Sequence, residues 1–366
     1  MVVVTINHRL GCLGYLHLGD LAPEFARSGV VGMLDCVAAL EWVRENIASF
    51  GGDPGNVTIM GQSGGGAKVC HLMVMPEARG LFHRAAIQSG AALRSGTRED
   101  ANAVTERMLA QIGIDKSRVR ELQTVPLEMM IGAQAAIGSR FGPFVDGEVV
   151  PSHPFDPTAP AISAGVPVIV GTNLHDFGFL SSDFDLDEQG LRARANDLFG
   201  GAGDRVLAAY RAADPEASPY LLAARMVTDC GVRQNSIALA ERKAALGGAP
   251  AYVYLFTWPS APFGGKFGAV HGTEVPLFFH NVHAWPITGT GPEAMAMADK
   301  LASAYITFAR TGKPAVPGVD DWPAYTPDGR PTMILDLDSR VENDPHRELL
   351  ALVEEHGAEW PGPGRV

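Results

Sequence analysis

The sequence predicts an α/β protein built on a mostly parallel central sheet with helices on both faces, and three observations carry that expectation. Short β-branched runs alternate with longer helical stretches along the 366 residues. Runs such as Val166-Pro167-Val168-Ile169-Val170 and Ala251-Tyr252-Val253-Tyr254-Leu255-Phe256 are apolar on successive residues, as strands buried on both faces require. A Gly-x-Ser-x-Gly turn, Gly61-Gln62-Ser63-Gly64-Gly65, joins one such run to a helical stretch.

Taken in order, Met1-Val2-Val3-Val4-Thr5-Ile6-Asn7 reads as a first buried strand. Cys36, Leu40, Val43, Ile47 and Phe50 recur at steps of three and four, a helix face that Gly51-Gly52 ends. Val57-Thr58-Ile59-Met60 is the next strand, residues 67–75 the helix after the turn, and Ala85-Ala86-Ile87 a further strand. Helical spacing returns over about residues 101–136 and 189–246, two excursions expected to form a lobe over the carboxyl edge of the sheet. A helix over residues 295–310, stopped by Gly312 and Pro314, and a last helix over residues 346–356 complete the chain. With no repeat and no low-complexity tract, the simplest organisation is one domain over residues 1–366.

A chain that is 46% hydrophobic and 19% charged can bury a full core. Its formal charge of -12, with Lys and Arg scattered, leaves no footprint for nucleic acid. No apolar run approaches the roughly 20 residues that span a bilayer, and no charged segment of a signal peptide opens the chain, so a cytoplasmic location is expected. Cys12, Cys36, Cys70 and Cys230 form no C-x-x-C pair and read as buried thiols. Neither a metal nor a cofactor is expected.

The chemistry centres on Ser63. A Gly-x-Ser-x-Gly turn between strand and helix holds its serine at strained backbone angles and brings the flanking glycines, here Gly61 and Gly65, close together. The same turn sets the Gly64 N–H at a helix start, where it can stabilise an oxyanion. A serine nucleophile needs a base and an acid, which in this arrangement come in the order serine, acid, histidine. That order disfavours His8, His17, His71, His83 and His153 and points to His271, in Gly268-Ala269-Val270-His271-Gly272-Thr273-Glu274, with His280 and His283 as rivals. The acid should sit just past a strand end, and Asp176 does, after Val168-Ile169-Val170. Asp183, Asp185 and Asp187 read as a solvated polar run, Asp146 as turn chemistry and His175 as a structural or surface residue. Trp258, Phe263, Phe278 and Phe279 lie near the histidine segment and are expected in the core rather than in a pocket.

Together these segments resemble the type-B carboxylesterase family, which includes para-nitrobenzyl esterases, cholinesterases and neuroligins. Thr5-Ile6-Asn7-His8-Arg9-Leu10-Gly11 looks like the family's N-Y-R-L-G segment, and Asn46-Ile47 through Phe50-Gly51-Gly52-Asp53-Pro54 like its N-I-x-x-F-G-G-D-P signature. Gly80-Leu81-Phe82-His83-Arg84-Ala85, Gln88-Ser89-Gly90, Asp146-Gly147, His271-Gly272-Thr273-Glu274 and Trp322-Pro323-Ala324-Tyr325 extend the likeness nearly to the C-terminus. The resemblance implies an α/β-hydrolase fold and cleavage of small-molecule carboxylic esters through an acyl-enzyme. It assigns Ser63 as nucleophile, His271 as base, Asp176 as acid where the family usually has Glu, Gly64 as oxyanion donor where it usually has Ala, and Ser89 and Glu274 as hydrogen-bonding support.

The family's H-G-G-G loop, whose N–H groups complete the oxyanion hole, is absent, and the resemblance implies three further strands before Met1. The chain is therefore expected to lack N-terminal strands of the fold and, taken alone, to be poorly active, since losing one oxyanion donor costs about 10² to 10³ in turnover. Two readings compete with an active esterase, an impaired fragment and a non-catalytic interaction protein of the same fold. Retention of Ser63, Asp176 and His271 argues against the second.

Overall fold

In the computed structural model, six short strands pair into one sheet: β1 (Thr58–Gln62), β2 (Arg84–Gln88), β3 (Val168–Asn173), β4 (Ala251–Phe256), β5 (Pro331–Leu335) and β6 (Arg340–Asn343). The structure describes residues 1–181, 183–259 and 262–357, without the side chains of Phe263 and Pro286, so the expectation for Phe263 lies outside the described residues. Strand order follows chain order, β1-β2-β3-β4-β5-β6, parallel throughout except for the antiparallel β5–β6 pair. Parallel neighbours need long crossovers, which is why helices separate the strands in sequence. These are α1 (Gly11–Tyr15), α2 (Val31–Asn46), α3 (Gly64–Leu72), α4 (Arg98–Ile112), α5 (Leu127–Ile137), α6 (Glu188–Phe199), α7 (Gly203–Ala213), α8 (Pro219–Thr228), α9 (Gln234–Ala245), α10 (Val275–Phe278), α11 (Pro292–Thr311) and α12 (Arg347–His356).

The chain forms two compact units, one of residues 1–57, 68–83 and 92–164, the other of residues 58–67, 84–91 and 165–366. In the first, α1, α4 and α5 bury Cys12, Leu16, Met108, Leu109 and Met130 together. Thr97 caps α4 reciprocally with Asp100, and Gly113 closes it in the left-handed region. Helix α2 runs into a 3₁₀ turn, Ile47–Phe50, that Gly51 ends at φ +79°, as the glycine pair predicts.

The second unit holds the whole sheet. Every residue of β3 and β4 is buried, which explains why β4 and the first half of β3, Val168-Ile169-Val170, read as unbroken apolar runs. Ile169, Tyr254 and Phe256 pack with Met297, Leu301, Tyr305 and Phe308 of α11, and a separate cluster joins α6, α7, α8 and α12 through Leu191, Val206, Tyr210, Leu222 and Val353. All four cysteines are buried thiols, as expected.

Two sequence expectations need correction. Residues 1–7 form no strand: Met1, Val2, Val3, Val4 and Ile6 are 39–75% exposed and enter no strand pairing. A β-branched run becomes a strand only where a neighbour takes up its backbone hydrogen bonds, so propensity alone does not suffice. The helix expected over residues 67–75 begins at Gly64 and ends at Leu72, because the turn feeds it directly after Ser63. Strands β5 and β6 escaped the sequence reading. The first is five residues long and opens on Pro331, and the second is a charged edge strand with none of its residues fully buried.

Candidate active site

The parallel strands end together, with Gln62 opposite Gln88 and Asn173 opposite Phe256, so the turns and loops beyond the strand ends gather at one edge. Ser63 is the single residue between β1 and α3. Its φ of +56° lies in the left-handed region, costly for a non-glycine residue and in keeping with the strained turn. The strain is held by hydrogen bonds at both ends of the residue, from Ser63 N–H to the Gln88 carbonyl at 2.8 Å and from Ala67 N–H to the Ser63 carbonyl at 3.0 Å. Glycine is required around it. A Cβ on Gly61 would stand 2.3 Å from the Gly65 carbonyl carbon, and one on Gly90 would stand 2.1 Å from the Ser63 oxygen.

The acid and the histidine are brought together by backbone. Beyond β3, His175 forms a parallel bridge with Val270, in which His175 N–H donates to the Ala269 carbonyl at 3.0 Å and His271 N–H to the Asp176 carbonyl at 3.2 Å. This bridge carries Asp176, the first residue of a 3₁₀ turn (Asp176–Leu180), against His271, with Asp176 Oδ1 2.5 Å from His271 Nδ1. The shorter acid therefore reaches the ring. Asp176 is fully buried, and its other oxygen accepts from the Asn173 N–H at 3.1 Å.

With its Nδ1 proton given to Asp176, His271 presents a lone pair at Nε2. The partner there is the side-chain amide nitrogen of Gln62, at 3.0 Å, rather than Ser63. Phe179 stacks on the ring at 4.6 Å between centroids. Burial opposes a charge on His271, but the Asp176 hydrogen bond and the negative charges of Asp176 and Glu274 outweigh it and raise its pKa above 6.5.

Glu274 is fully buried, and burial, with the charge of Asp176, pushes its carboxyl up to about 7. Among the effects that raise His271, the Asp176 hydrogen bond stands ahead of the Glu274 charge. Glu274 reaches the pair through Asn173, whose Nδ2 donates to Glu274 Oε2 at 2.6 Å and to the Val270 carbonyl at 2.7 Å. Sequence reasoning missed Asn173, although it lies three residues before the acid in Gly171-Thr172-Asn173. Ser89 differs from the expectation: it follows β2 at φ +48° and its N–H donates to the Gly171 carbonyl, yet its buried hydroxyl makes no hydrogen bond among the described residues.

The rival residues are elsewhere engaged. His280 pairs with Asp299 at the surface, His283 is exposed, and His175 is buried with Nδ1 accepting from the Ala269 N–H. Asp183 pairs with Arg194, Asp185 is exposed and Asp187 caps α6. Asp146 accepts from the N–H groups of Glu148 and Val150, the turn chemistry expected of it. Trp258 and Phe278 are core residues, whereas Phe279 is 45% exposed. Beside the Asp176–Leu180 turn a cavity of about 390 Å³ opens, lined mainly by Phe177, Leu180, Tyr220, Ala224 and Val227, with Arg194 among its polar residues.

A mostly parallel sheet with a serine on a strand–helix elbow, and an acid and a histidine on loops beyond the same strand ends, defines an α/β-hydrolase. The chain belongs to the carboxylesterase family, whose profile matches residues 1–352. It is 34% identical to para-nitrobenzyl esterase of Bacillus subtilis over 95% of this chain and 72% of that protein. It is 31% identical to phenmedipham hydrolase of Pseudarthrobacter oxydans over 92% of this chain and 69% of that one. A crystal structure of a Geobacillus stearothermophilus carboxylesterase superposes with a TM-score of 0.81 at 36% identity, covering 94% of this chain and 74% of that one. The chain is thus a carboxylesterase-type serine hydrolase acting on small-molecule esters, and it spans about seven tenths of the length of these relatives.

Proposed function

We propose that Ser63, His271 and Asp176 form the catalytic triad of this esterase and that Gly64 supplies an oxyanion donor. The observation that carries the reading is the Asp176–His271 hydrogen bond on the edge where the Ser63 elbow opens. In the acylation step Ser63 Oγ attacks the ester carbonyl carbon while His271 Nε2 takes its proton. The Gly64 N–H, at the start of α3, stabilises the negative oxygen, helped by the helix dipole. The carbonyl–alkoxy bond then breaks, and His271 passes the proton to the departing alcohol. Water repeats the sequence on the acyl-enzyme and releases the carboxylic acid. Asp176 holds the ring with its proton on Nδ1 and stabilises the imidazolium.

The cavity beside Phe177 and Leu180 would take an apolar acyl or alcohol group, so esters with one bulky apolar side are the favoured substrates. Labelling with a fluorophosphonate probe tests the nucleophile. The native chain should be labelled and the Ser63→Ala chain should not, and equal labelling of both would refute the assignment.

A further inference from the structure

The Gln62 side chain reaches the His271 nitrogen that, in the proposed mechanism, receives the serine proton. Asp176 keeps the ring proton on Nδ1, so Nε2 can only accept while the ring is neutral, and the amide nitrogen of Gln62, 3.0 Å away, is the end of that side chain able to donate. The ring is thus held on three sides, by Asp176 at Nδ1, by Gln62 at Nε2 and by Phe179 on one face.

We infer that Gln62 is a removable cap on His271, a positioning residue that shields the base in the resting enzyme and must turn aside before Ser63 can give up its proton. This rests on His271 being the base. The charged groups acting on the ring are Asp176, from the turn after β3, and Glu274, from the ring's own loop. The aromatic rings beside it, Phe177 and Phe179, are uncharged, as is Gln62 from β1. An amide N–H donated to Nε2 stabilises the neutral ring and opposes the imidazolium, whose Nε2–H would face another donor. The cap therefore acts against the two carboxyls and lowers the proton affinity of the base. It also competes directly with the serine hydroxyl for the lone pair.

The test is a titration of the His271 ring nitrogens by NMR, which needs no turnover, in the native chain, Gln62→Met and Gln62→Glu. Removing one neutral hydrogen bond should raise the His271 pKa by about half a unit to one unit in Gln62→Met. Gln62→Glu, which keeps the shape and places a carboxylate at Nε2, should raise it further. Fluorophosphonate labelling of Ser63 should become about five-fold faster in Gln62→Met at a pH where His271 is neutral, because the competing hydrogen bond is gone. An unchanged or lowered pKa in either folded variant overturns the cap. If Gln62→Met does not fold, Gln62→Leu, which also removes the amide and adds no charge, decides in its place. Failure of the reading that His271 is the base would instead appear as His271→Ala keeping the native rate of Ser63 labelling, whatever the titration gives.

Discussion

Asp176 Oδ1 stands 2.5 Å from His271 Nδ1, and the parallel bridge between His175 and Val270 is what sets that distance. A carboxylate held by backbone fixes the ring tautomer without needing a long side chain. Asp176→Asn would offer an amide in its place and favour the wrong tautomer, so kcat on a para-nitrophenyl ester should fall by about 10³- to 10⁴-fold with the fold intact. A loss under ten-fold would remove Asp176 from the triad.

Glu274 is buried and coupled by charge to His271. Since the His271 pKa is raised, the acid limb of kcat/KM should lie above pH 6.5, activity rising as the ring loses its proton. Glu274→Gln removes a negative charge that favours the imidazolium, so that limb should move to lower pH. A limb that stays in place would show that the carboxyl exerts no field on the base.

Val227 lines the cavity and is only partly buried, which leaves room for a larger side chain. Val227→Phe should therefore reduce kcat/KM for esters with a bulky apolar group by about ten-fold or more while changing acetate esters little, since filling a pocket costs roughly 1–3 kcal/mol of discrimination. Equal effects on both would place the bulky group elsewhere.

His175 is buried, and burial together with the charge of Arg225 lowers its pKa to about 4. Above pH 6.5 the ring is neutral in both folded and unfolded chains. Below that the unfolded chain takes up a proton that the folded one refuses, so stability is lost progressively between pH 6.5 and about 4, by on the order of 3 kcal/mol. Urea unfolding of the native chain and of His175→Gln should differ less as the pH falls through that window. A difference independent of pH would mean that the buried ring titrates normally.

Much of this protein is determined by the sequence alone. Gly61-Gln62-Ser63-Gly64-Gly65 between an apolar run and a helical stretch names the elbow, because only a strand–turn–helix with glycines at those positions lets backbone approach backbone. The apolar runs at Val168-Ile169-Val170 and along β4 announce burial on both faces, and the order of Ser63, Asp176 and His271 along the chain suggests their roles. Local patterns of this kind are written in neighbouring residues. The tertiary structure alone decided the rest: that residues 1–7 stay unpaired, that the bridge lets an aspartate reach the ring, that Asn173 links Glu274 to the same loop, and that Gln62 occupies Nε2. Each depends on which strands and loops far apart in sequence become neighbours. That is set by backbone hydrogen bonding and packing across the sheet, and no window of sequence contains it.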